Sequence, residues 1–212
     1  MSNHPTSFAE WQSYPSTIDP IHVSWLKNAK KSKTAFAVAD IEGVEIPPKR
    51  FLTGVLLFSK KIEKYSPEQN VGLLLPSSGG GAIASMAILS LGKTLVNLNF
   101  TAGKKALQSA VEQAEVKHIY TSRKFIDKMY EKGDDLSSFF PDTELLFLED
   151  IKEEISTLAR LRTLLVAILM PVNQIKKRYF EEVSMNDTAA ILFSSGSEGS
   201  PKGVELSHSN IA

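Results

Sequence analysis

The stretch that most constrains the fold is VGLLLPSSGGGAIASMAILSLGKTLVNLN, which runs from Val71 to Asn99. It consists of an apolar run, a Gly/Ser turn, a helix-length segment of small and apolar residues, and a second apolar run. Two strands joined through a helix lie parallel, because the helix carries the chain back to the end of the sheet where the first strand began. The stretch therefore predicts one βαβ unit.

Similar patterns occur on both sides of this unit. Apolar residues recur at helical spacing from Phe51 to Ile62, from Leu107 to Ala114 and from Phe125 to Met129. The strand-like runs are TAFAVAD, VEI, KHIYTS, ELLFLED and TAAILF, at residues 34–40, 44–46, 117–122, 144–150 and 188–193. The first two are separated by a Glu-Gly turn and predict a hairpin. Strands that alternate with helices predict an α/β fold, with a mainly parallel sheet and helices on both faces.

Charge and cysteine content exclude some kinds of partner and site for this chain. Lys and Arg (24) balance Asp and Glu (24), whereas a nucleic-acid binder needs a basic surplus or stripe, so nucleic acid is not an expected partner. The absence of cysteine excludes disulfides and thiolate metal sites, and it favours a cytoplasmic location. Residues 1–33 are interpreted as a polar lead-in without a secretory signal, and residues 34–212 as one domain.

Residues 151–187 are predicted to be helical and charged, and they contain one apolar run, from Leu164 to Met170, that Pro171 ends. The run is too short to span a bilayer, which takes roughly 18 apolar residues. Two interpretations stay open: a buried helix with solvated ends, or contact of residues 160–178 with a lipid surface. The second depends on the flanking cations Arg160, Arg162, Lys176, Lys177 and Arg178.

The glycines at residues 79–81 do not complete a dinucleotide-binding fingerprint. The G-x-G-x-x-G pattern needs another glycine at the position of Ala84. We interpret these glycines as sites of close packing between a strand and a helix.

A second Gly/Ser-rich segment, ILFSSGSEGSPKGVELSHSN, runs from Ile191 to Asn210. It does not match the P-loop pattern G-x-x-x-x-G-K-[ST], because a second glycine before Lys202 and a hydroxyl residue after it are missing. The continuation KGVELSH favours a strand, so the predicted arrangement is strand, loop, strand. Such a loop can hold an anion through successive backbone N–H groups and hydroxyls, with Lys202 as the cation.

The motif SSGSEGSPKGV, residues 194–204, resembles the signature loop of the adenylate-forming, AMP-binding and acyl-CoA synthetase-like superfamily. The trailing residues His208 and Asn210 have counterparts in that family. Further stretches, NFTAGKKAL, YTSRKFIDK, LFLEDIK and LLVAILMP, resemble the acyl-acyl-carrier-protein synthetase portion of the 2-acylglycerophosphoethanolamine acyltransferases. The resemblance implies the N-terminal part of the large domain of such an enzyme.

By this resemblance, a fatty acid is activated with ATP and Mg²⁺ and passed to acyl carrier protein or CoA, feeding reacylation of a lysophospholipid at the inner face of the cytoplasmic membrane. The loop would hold the phosphates, with Lys202 as the catalytic cation. His208 would lie near the acyl substrate, although a capping or core role is an equal alternative, and Glu198 would face the metal or be a solvated carboxylate. The residues implied to hold the nucleotide are Ser194, Ser195, Gly196, Ser197, Glu198, Gly199, Lys202 and Gly203.

The chain departs from the family pattern in two respects. The downstream motifs for adenine, ribose and metal are absent, and no H-x-x-x-x-D acyltransferase motif occurs. We therefore expect the chain by itself to bind ATP weakly and to turn over no substrate. Two alternatives stay open: part of a plain long-chain fatty acyl-CoA ligase, or a non-catalytic scaffold that binds a lipid surface or a partner.

Overall fold

The computed structural model describes residues 19–40, 43–194 and 201–212. Their centre is a six-stranded sheet in the spatial order β6-β5-β3-β4-β7-β8. Neighbours from β6 to β7 pair in parallel, and β8 pairs antiparallel with β7 at the edge. The strands are β3 (Asn70–Leu73), β4 (Thr94–Asn97), β5 (His118–Thr121), β6 (Glu144–Phe147), β7 (Thr188–Ser194) and β8 (Lys202–Ser207).

A two-stranded hairpin and nine helices complete the described structure. The hairpin, β1 (Val38–Ala39) with β2 (Glu45–Ile46), is antiparallel, as its sequence predicts. The helices are α1 (Ile21–Lys31), α2 (Pro48–Tyr65), α3 (Gly79–Ser90), α4 (Lys104–Gln113), α5 (Arg123–Glu131), α6 (Leu148–Glu153), α7 (Thr157–Leu169), α8 (Val172–Tyr179) and α9 (His208–Ile211), with a short 3₁₀ turn at Leu136–Phe139.

Helices cover both faces of the sheet, which confirms the predicted α/β fold. Helices α4 and α5 pack through apolar side chains on the face that contains Ile119 of β5. Helices α2 and α3 pack on the opposite face, which contains Tyr120. These adjacent residues are both fully buried, because successive strand residues point to opposite faces and each face here has a helical cover. The predicted βαβ unit is confirmed as β3–α3–β4.

Close approach of two strands explains one glycine within the sheet. A Cβ atom at Gly72 of β3 would lie 2.8 Å from Cγ1 of Ile119 and 2.9 Å from Cγ1 of Val116. Those distances are shorter than a carbon–carbon contact allows. Glycine at this position lets β5 and the turn before it pack directly on β3.

Three sequence-based boundaries differ from the structure. The strand predicted over residues 144–150 ends at Phe147, because Leu148 begins α6. The helical segment predicted over 151–187 ends at Tyr179, and the chain then runs to β7 without a helix. The interpretation of residues 1–33 as a polar lead-in does not hold for residues 21–31, because these residues form α1 and bury Val23, Leu26 and Ala29. The apolar stripe of α1 is narrow, and its polar neighbours mask it in the sequence.

The apolar run at 164–170 lies mainly in α7, a third helical layer that packs on α2. Thr163 and Ala167 face α2 and are buried, whereas Leu165, Ile168 and Leu169 are exposed. The buried-helix interpretation is therefore wrong for the outer face of α7, because no other described element covers it. No helix in the described parts of the chain combines the length and the apolar character of a bilayer span.

Candidate functional site

The candidate loop connects β7 to β8, as the strand–loop–strand prediction requires. Ser194 ends β7 and Lys202 begins β8, and the two residues are direct cross-strand partners. The Ser194 hydroxyl lies 3.5 Å from the Lys202 carbonyl oxygen, and both side chains are exposed. Ser195, Gly196, Ser197, Glu198 and Gly199 lie outside the described residues, so their predicted contacts with a nucleotide stay predictions.

The loop starts at the carboxyl edge of the parallel strands. Leu192 of β7 pairs with Asn97, the last residue of β4. A cavity of about 650 Å³ opens at the same edge, lined by Asn97 and by residues that follow β3, including Ser77 and Ser78. Ligands in open α/β sheets bind outside the carboxyl ends of the strands. The location of the loop therefore fits a binding role.

The second end of the loop is anchored to the sheet and to α4. Pro201 is buried, and its carbonyl oxygen accepts a hydrogen bond of 3.0 Å from Nε2 of Gln113. A Cβ atom at Gly203 would lie 3.1 Å from Cε1 of Phe193, so glycine lets the two strands and this ring pack closely. The sequence alone does not reveal the role of Gln113, because Gln113 precedes Pro201 by 88 residues and belongs to no motif.

Lys202 supplies an exposed ammonium beside the loop. Among the described residues, no carboxylate lies within 4.0 Å of its Nζ atom. Glu205, on the same strand, accepts a hydrogen bond from the Thr188 hydroxyl instead. An exposed ammonium that has no carboxylate partner in the described part of the chain, across the strand pair from a hydroxyl residue, suits a polyanionic ligand such as a phosphate chain.

His208 lies at the start of α9 and is buried against α1. Its Nδ1 accepts a hydrogen bond of 3.3 Å from the backbone N–H of Ile21, and its ring meets the ring of His22 edge-on at 5.5 Å. Burial lowers the pKa of His208 below its ordinary value, and the negative charge of Asp187 opposes this shift only in part. In the described structure His208 has these core contacts, and its assignment to the acyl substrate stays a prediction. Asn210 caps α9 together with Ser207.

The glycines at the start of α3 pack against the β1–β2 hairpin. A Cβ atom at Gly79 would lie 2.7 Å from Cδ1 of Ile46, and the Gly79 N–H donates to Oδ2 of Asp40 at 3.2 Å. This carboxylate complements the positive end of the α3 dipole. The packing interpretation is supported, although the close neighbour comes from the hairpin rather than from the main sheet.

The described residues at the mouth of the loop, Ser194 and Lys202, offer one hydroxyl and one cation, which fit phosphate. No group of three His, Cys, Asp or Glu side chains converges on a metal position within residues 19–40, 43–194 and 201–212. Mg²⁺ is commonly held by substrate phosphates and only one or two carboxylates, so a metal carried by a nucleotide would not need such a group.

The AMP-binding enzyme family matches residues 55–212, which is well over half of the chain. The chain belongs to this family. AMP-binding enzymes are ligases that form adenylates, and the family assignment agrees with the motif at residues 194–204 and with the fold.

Two relatives illustrate the range of the family. The nonribosomal peptide synthetase vlms of Lecanicillium sp is 27% identical over 146 residues, covering 69% of this chain and 1% of the relative. The 4-coumarate–CoA ligase-like 2 protein of Arabidopsis thaliana is 25% identical over 140 residues, covering 66% of this chain and 24% of the relative.

Solved structures show the same fold. The crystal structure of VinN superimposes with a TM-score of 0.66 at 17% identity, covering 90% of this chain and 46% of VinN. The nonribosomal peptide synthetase FmoA3, solved with bound alpha-methyl-L-serine-AMP, superimposes with a TM-score of 0.67 at 16% identity, covering 94% of this chain and 20% of FmoA3. The chain thus spans less than half the length of these relatives.

Proposed function

We propose that this chain provides the phosphate-binding loop of an adenylate-forming enzyme, which activates a carboxylate with ATP and passes the acyl group to a thiol of a carrier protein or CoA. The observation that carries the proposal is the pairing of Ser194 with Lys202 at the mouth of the loop. This pairing brings a hydroxyl donor and a cation together at the carboxyl edge of the sheet.

The chemistry asks the protein for charge stabilisation rather than for a nucleophile. ATP, when bound, supplies an α-phosphorus whose new bond to the substrate carboxylate oxygen replaces the bond to pyrophosphate. The Lys202 ammonium would hold negative charge on the departing phosphate oxygens, and the Ser194 hydroxyl would donate a hydrogen bond to the same group. Donors fixed in place before the reaction stabilise such charge at little cost in reorganisation.

The substrate class we favour is a long-chain fatty acid, with acyl carrier protein as the acceptor and lysophospholipid reacylation as the downstream step. The support is the resemblance of residues 99–107, 120–128 and 146–152 to acyl-acyl-carrier-protein synthetases. A plain long-chain acyl-CoA ligase is the alternative. Amino acids and hydroxycinnamates are included as alternative substrates in the test, because a nonribosomal peptide synthetase and a 4-coumarate–CoA ligase-like protein are relatives.

The test is carboxylate-dependent exchange of pyrophosphate into ATP, measured on the polypeptide of the complete reading frame that contains this chain. Long-chain fatty acids should support exchange, and amino acids and hydroxycinnamates should not. Transfer to acyl carrier protein in preference to CoA would separate the two fatty-acid alternatives. If no carboxylate supports exchange while the protein is folded, the catalytic proposal fails and the scaffold alternative gains support.

The loop assignment is tested by Lys202→Ala in the same polypeptide. The exchange rate should fall by about tenfold to a thousandfold, as for the loss of other preorganised transition-state donors, while weaker ground-state binding of ATP accounts for only part of the loss. Lys132→Ala is the matched control, because Lys132 is an exposed lysine at the end of α5 that leads away from the carboxyl edge. Unchanged exchange in a folded Lys202→Ala protein would remove Lys202 from the reaction.

A further inference from the structure

The outer face of α7 presents an apolar stripe that no described element covers. Its members are Leu158, Leu161, Leu165, Ile168 and Leu169, which are 55%, 55%, 48%, 48% and 73% exposed. Spacings of three and four residues place them on one side of the helix. Thr163 and Ala167 lie on the opposite side and are buried. The helix thus uses one face for the core and leaves a second apolar face in solvent.

The segment that carries this stripe is basic, and it lies between two pairs of glutamates, Glu153 and Glu154 before it and Glu181 and Glu182 after it. From residue 155 to residue 180 the chain contains five cations and no Asp or Glu, although its net charge is zero. The cations are Arg160, Arg162, Lys176, Lys177 and Arg178. Lys30, from the last turn of α1, extends the positive region, because its Nζ donates to the carbonyl oxygens of Ala167 and Ile168 at 2.8 and 3.0 Å. Arg162 lies beside the stripe, four residues after Leu158 and three before Leu165, whereas Arg160 lies on the opposite side of α7 and donates to the Lys152 carbonyl oxygen at 2.6 Å. The cations that can accompany the stripe are therefore Arg162 and those of α8.

We propose that α7 docks flat on an anionic lipid bilayer, with the apolar stripe at the boundary between headgroups and acyl chains and the cations against lipid phosphates. A helix of 13 residues is about 20 Å long, too short to cross a bilayer but suited to lie on one. The stripe contains only Leu and Ile, whereas the energetic centres of protein interfaces are rich in Trp and Tyr and poor in Leu. Composition and charge together favour lipid over a protein partner.

This surface is separate from the candidate loop, and docking requires neither ATP nor catalysis. Loss of the adenylation activity would leave the lipid prediction intact, and the reverse also holds. If both proposals hold, docking would bring the enzyme to the surface where membrane-derived fatty acids are available.

The experiment is flotation of the chain with vesicles of phosphatidylcholine alone or of phosphatidylcholine with about a third phosphatidylglycerol. Binding is expected on the anionic vesicles and should decrease as salt rises from about 0.1 M to about 1 M, over which the Debye length falls from about 10 Å to about 3 Å. Equal binding to both vesicle types at every salt concentration would overturn the electrostatic part of the proposal, and no binding to either would overturn all of it.

Two double substitutions measure the contributions of the stripe and of the cations to vesicle binding separately. In Leu161→Gln/Leu165→Gln the partition coefficient should fall by at least tenfold, because two exposed leucines lose their transfer into the lipid boundary. Lys177→Gln/Arg178→Gln should lower it by about 25-fold, since each cation near an anionic surface contributes about fivefold. Tyr130→Gln is the control, because Tyr130 is a large aromatic side chain, 67% exposed, on α5 and outside the stripe. This variant should bind vesicles as the unchanged chain does.

The fold of each variant is checked by circular dichroism and thermal unfolding, which should change little because the substituted side chains are exposed. Sedimentation velocity tests whether a second copy of the chain, rather than lipid, covers the stripe. A dimer that disappears in Leu161→Gln/Leu165→Gln, without vesicle binding by the unchanged chain, would assign the stripe to a second copy and overturn the lipid proposal. Vesicle binding that survives this double substitution would equally overturn it.

Discussion

Acid should destabilise this fold through one buried histidine. His22 of α1 is fully buried, and neither ring nitrogen has a hydrogen-bond partner in the described structure. Its ring meets the rings of Phe180 and His208 edge-on, each at 5.5 Å between centroids. Burial, with smaller contributions from His208 and Lys176 that the nearby Glu181 backbone partly offsets, lowers the pKa of His22 from 6.5 to about 4. A protonated ring at this position would be a charge in an apolar environment.

The sign and the size of the effect follow from proton linkage. At about pH 7.5 and above, at least one unit over the unfolded pKa of 6.5, the ring is almost wholly neutral in both the folded and the unfolded chain, so its contribution to the free energy of unfolding is constant. Below that pH the unfolded chain binds a proton that the folded chain does not, so stability falls as pH falls and levels off near pH 4. The loss from His22 is about 2 kcal/mol between about pH 7.5 and about pH 5, and about 3 kcal/mol in full. The lowered pKa of His208 adds a loss in the same direction.

The assay is urea unfolding of the chain and of His22→Phe at about pH 7.5 and at about pH 5. Phenylalanine keeps an apolar ring at the position and removes the titration, so the difference between the two pH values should shrink by about 2 kcal/mol. Val23→Ala is the control, because Val23 is 2% exposed on the same helix. It should lower stability by about 2 kcal/mol equally at both pH values.

Two results would refute the reasoning. The unchanged chain could keep its full stability at about pH 5, which would mean that the folded state accommodates the protonated ring. Alternatively, His22→Phe could lose as much stability with acid as the unchanged chain, which would assign the acid sensitivity to other groups.

Two further substitutions test packing and loop anchoring. Gly72→Ala should lower the free energy of unfolding by about 1–3 kcal/mol in urea titrations, because its Cβ atom would lie 2.8 Å from Cγ1 of Ile119. Gly103→Ala, where a Cβ meets nothing within 4 Å, should change it by less than about 1 kcal/mol. Gln113→Ala should slow pyrophosphate exchange about fivefold, since a hydrogen bond to a loop carbonyl, worth about 1 kcal/mol, is lost. Gln108→Ala removes a comparable hydrogen bond from the same helix, to the Phe139 carbonyl oxygen, and should leave exchange unchanged; equal rates in both variants would contradict the anchoring role.

The fold could be predicted from the sequence where the pattern is local. The unit from Val71 to Asn99 combines a strand run, a Gly/Ser turn and a helix-length segment, and each part adopts the predicted structure. The boundary after Phe147 could not be predicted, because LLFLED is apolar enough for a strand and acidic enough at Glu149 and Asp150 for the first turn of a helix. In such short segments tertiary packing, rather than propensity, decides between the two.

The exposure of one face of α7 could not be predicted from the sequence, for a related reason. Its apolar residues occupy almost the whole circumference of the helix, and a sequence with apolar residues all round is typical of a buried helix. Which face is covered depends on the neighbour, and α2 covers only the side of Thr163 and Ala167. Periodicity therefore identifies the helix, whereas the exposure of Leu161 and Leu165 is a property of the layer arrangement.

The loop motif predicts the chemistry of the candidate site, but residues outside the motif hold that site in place. Gln113 fixes the carbonyl of Pro201 at one end, and the buried His208 accepts a hydrogen bond from α1 just beyond β8. These partners are 88 and 187 residues away along the chain, so no local pattern could have revealed them. Preorganised donors stabilise transition-state charge only while their supports keep them in position. In the proposed function, the exposed side chains of Ser194 and Lys202 would therefore depend on α4 and α1 as much as on the motif that contains them.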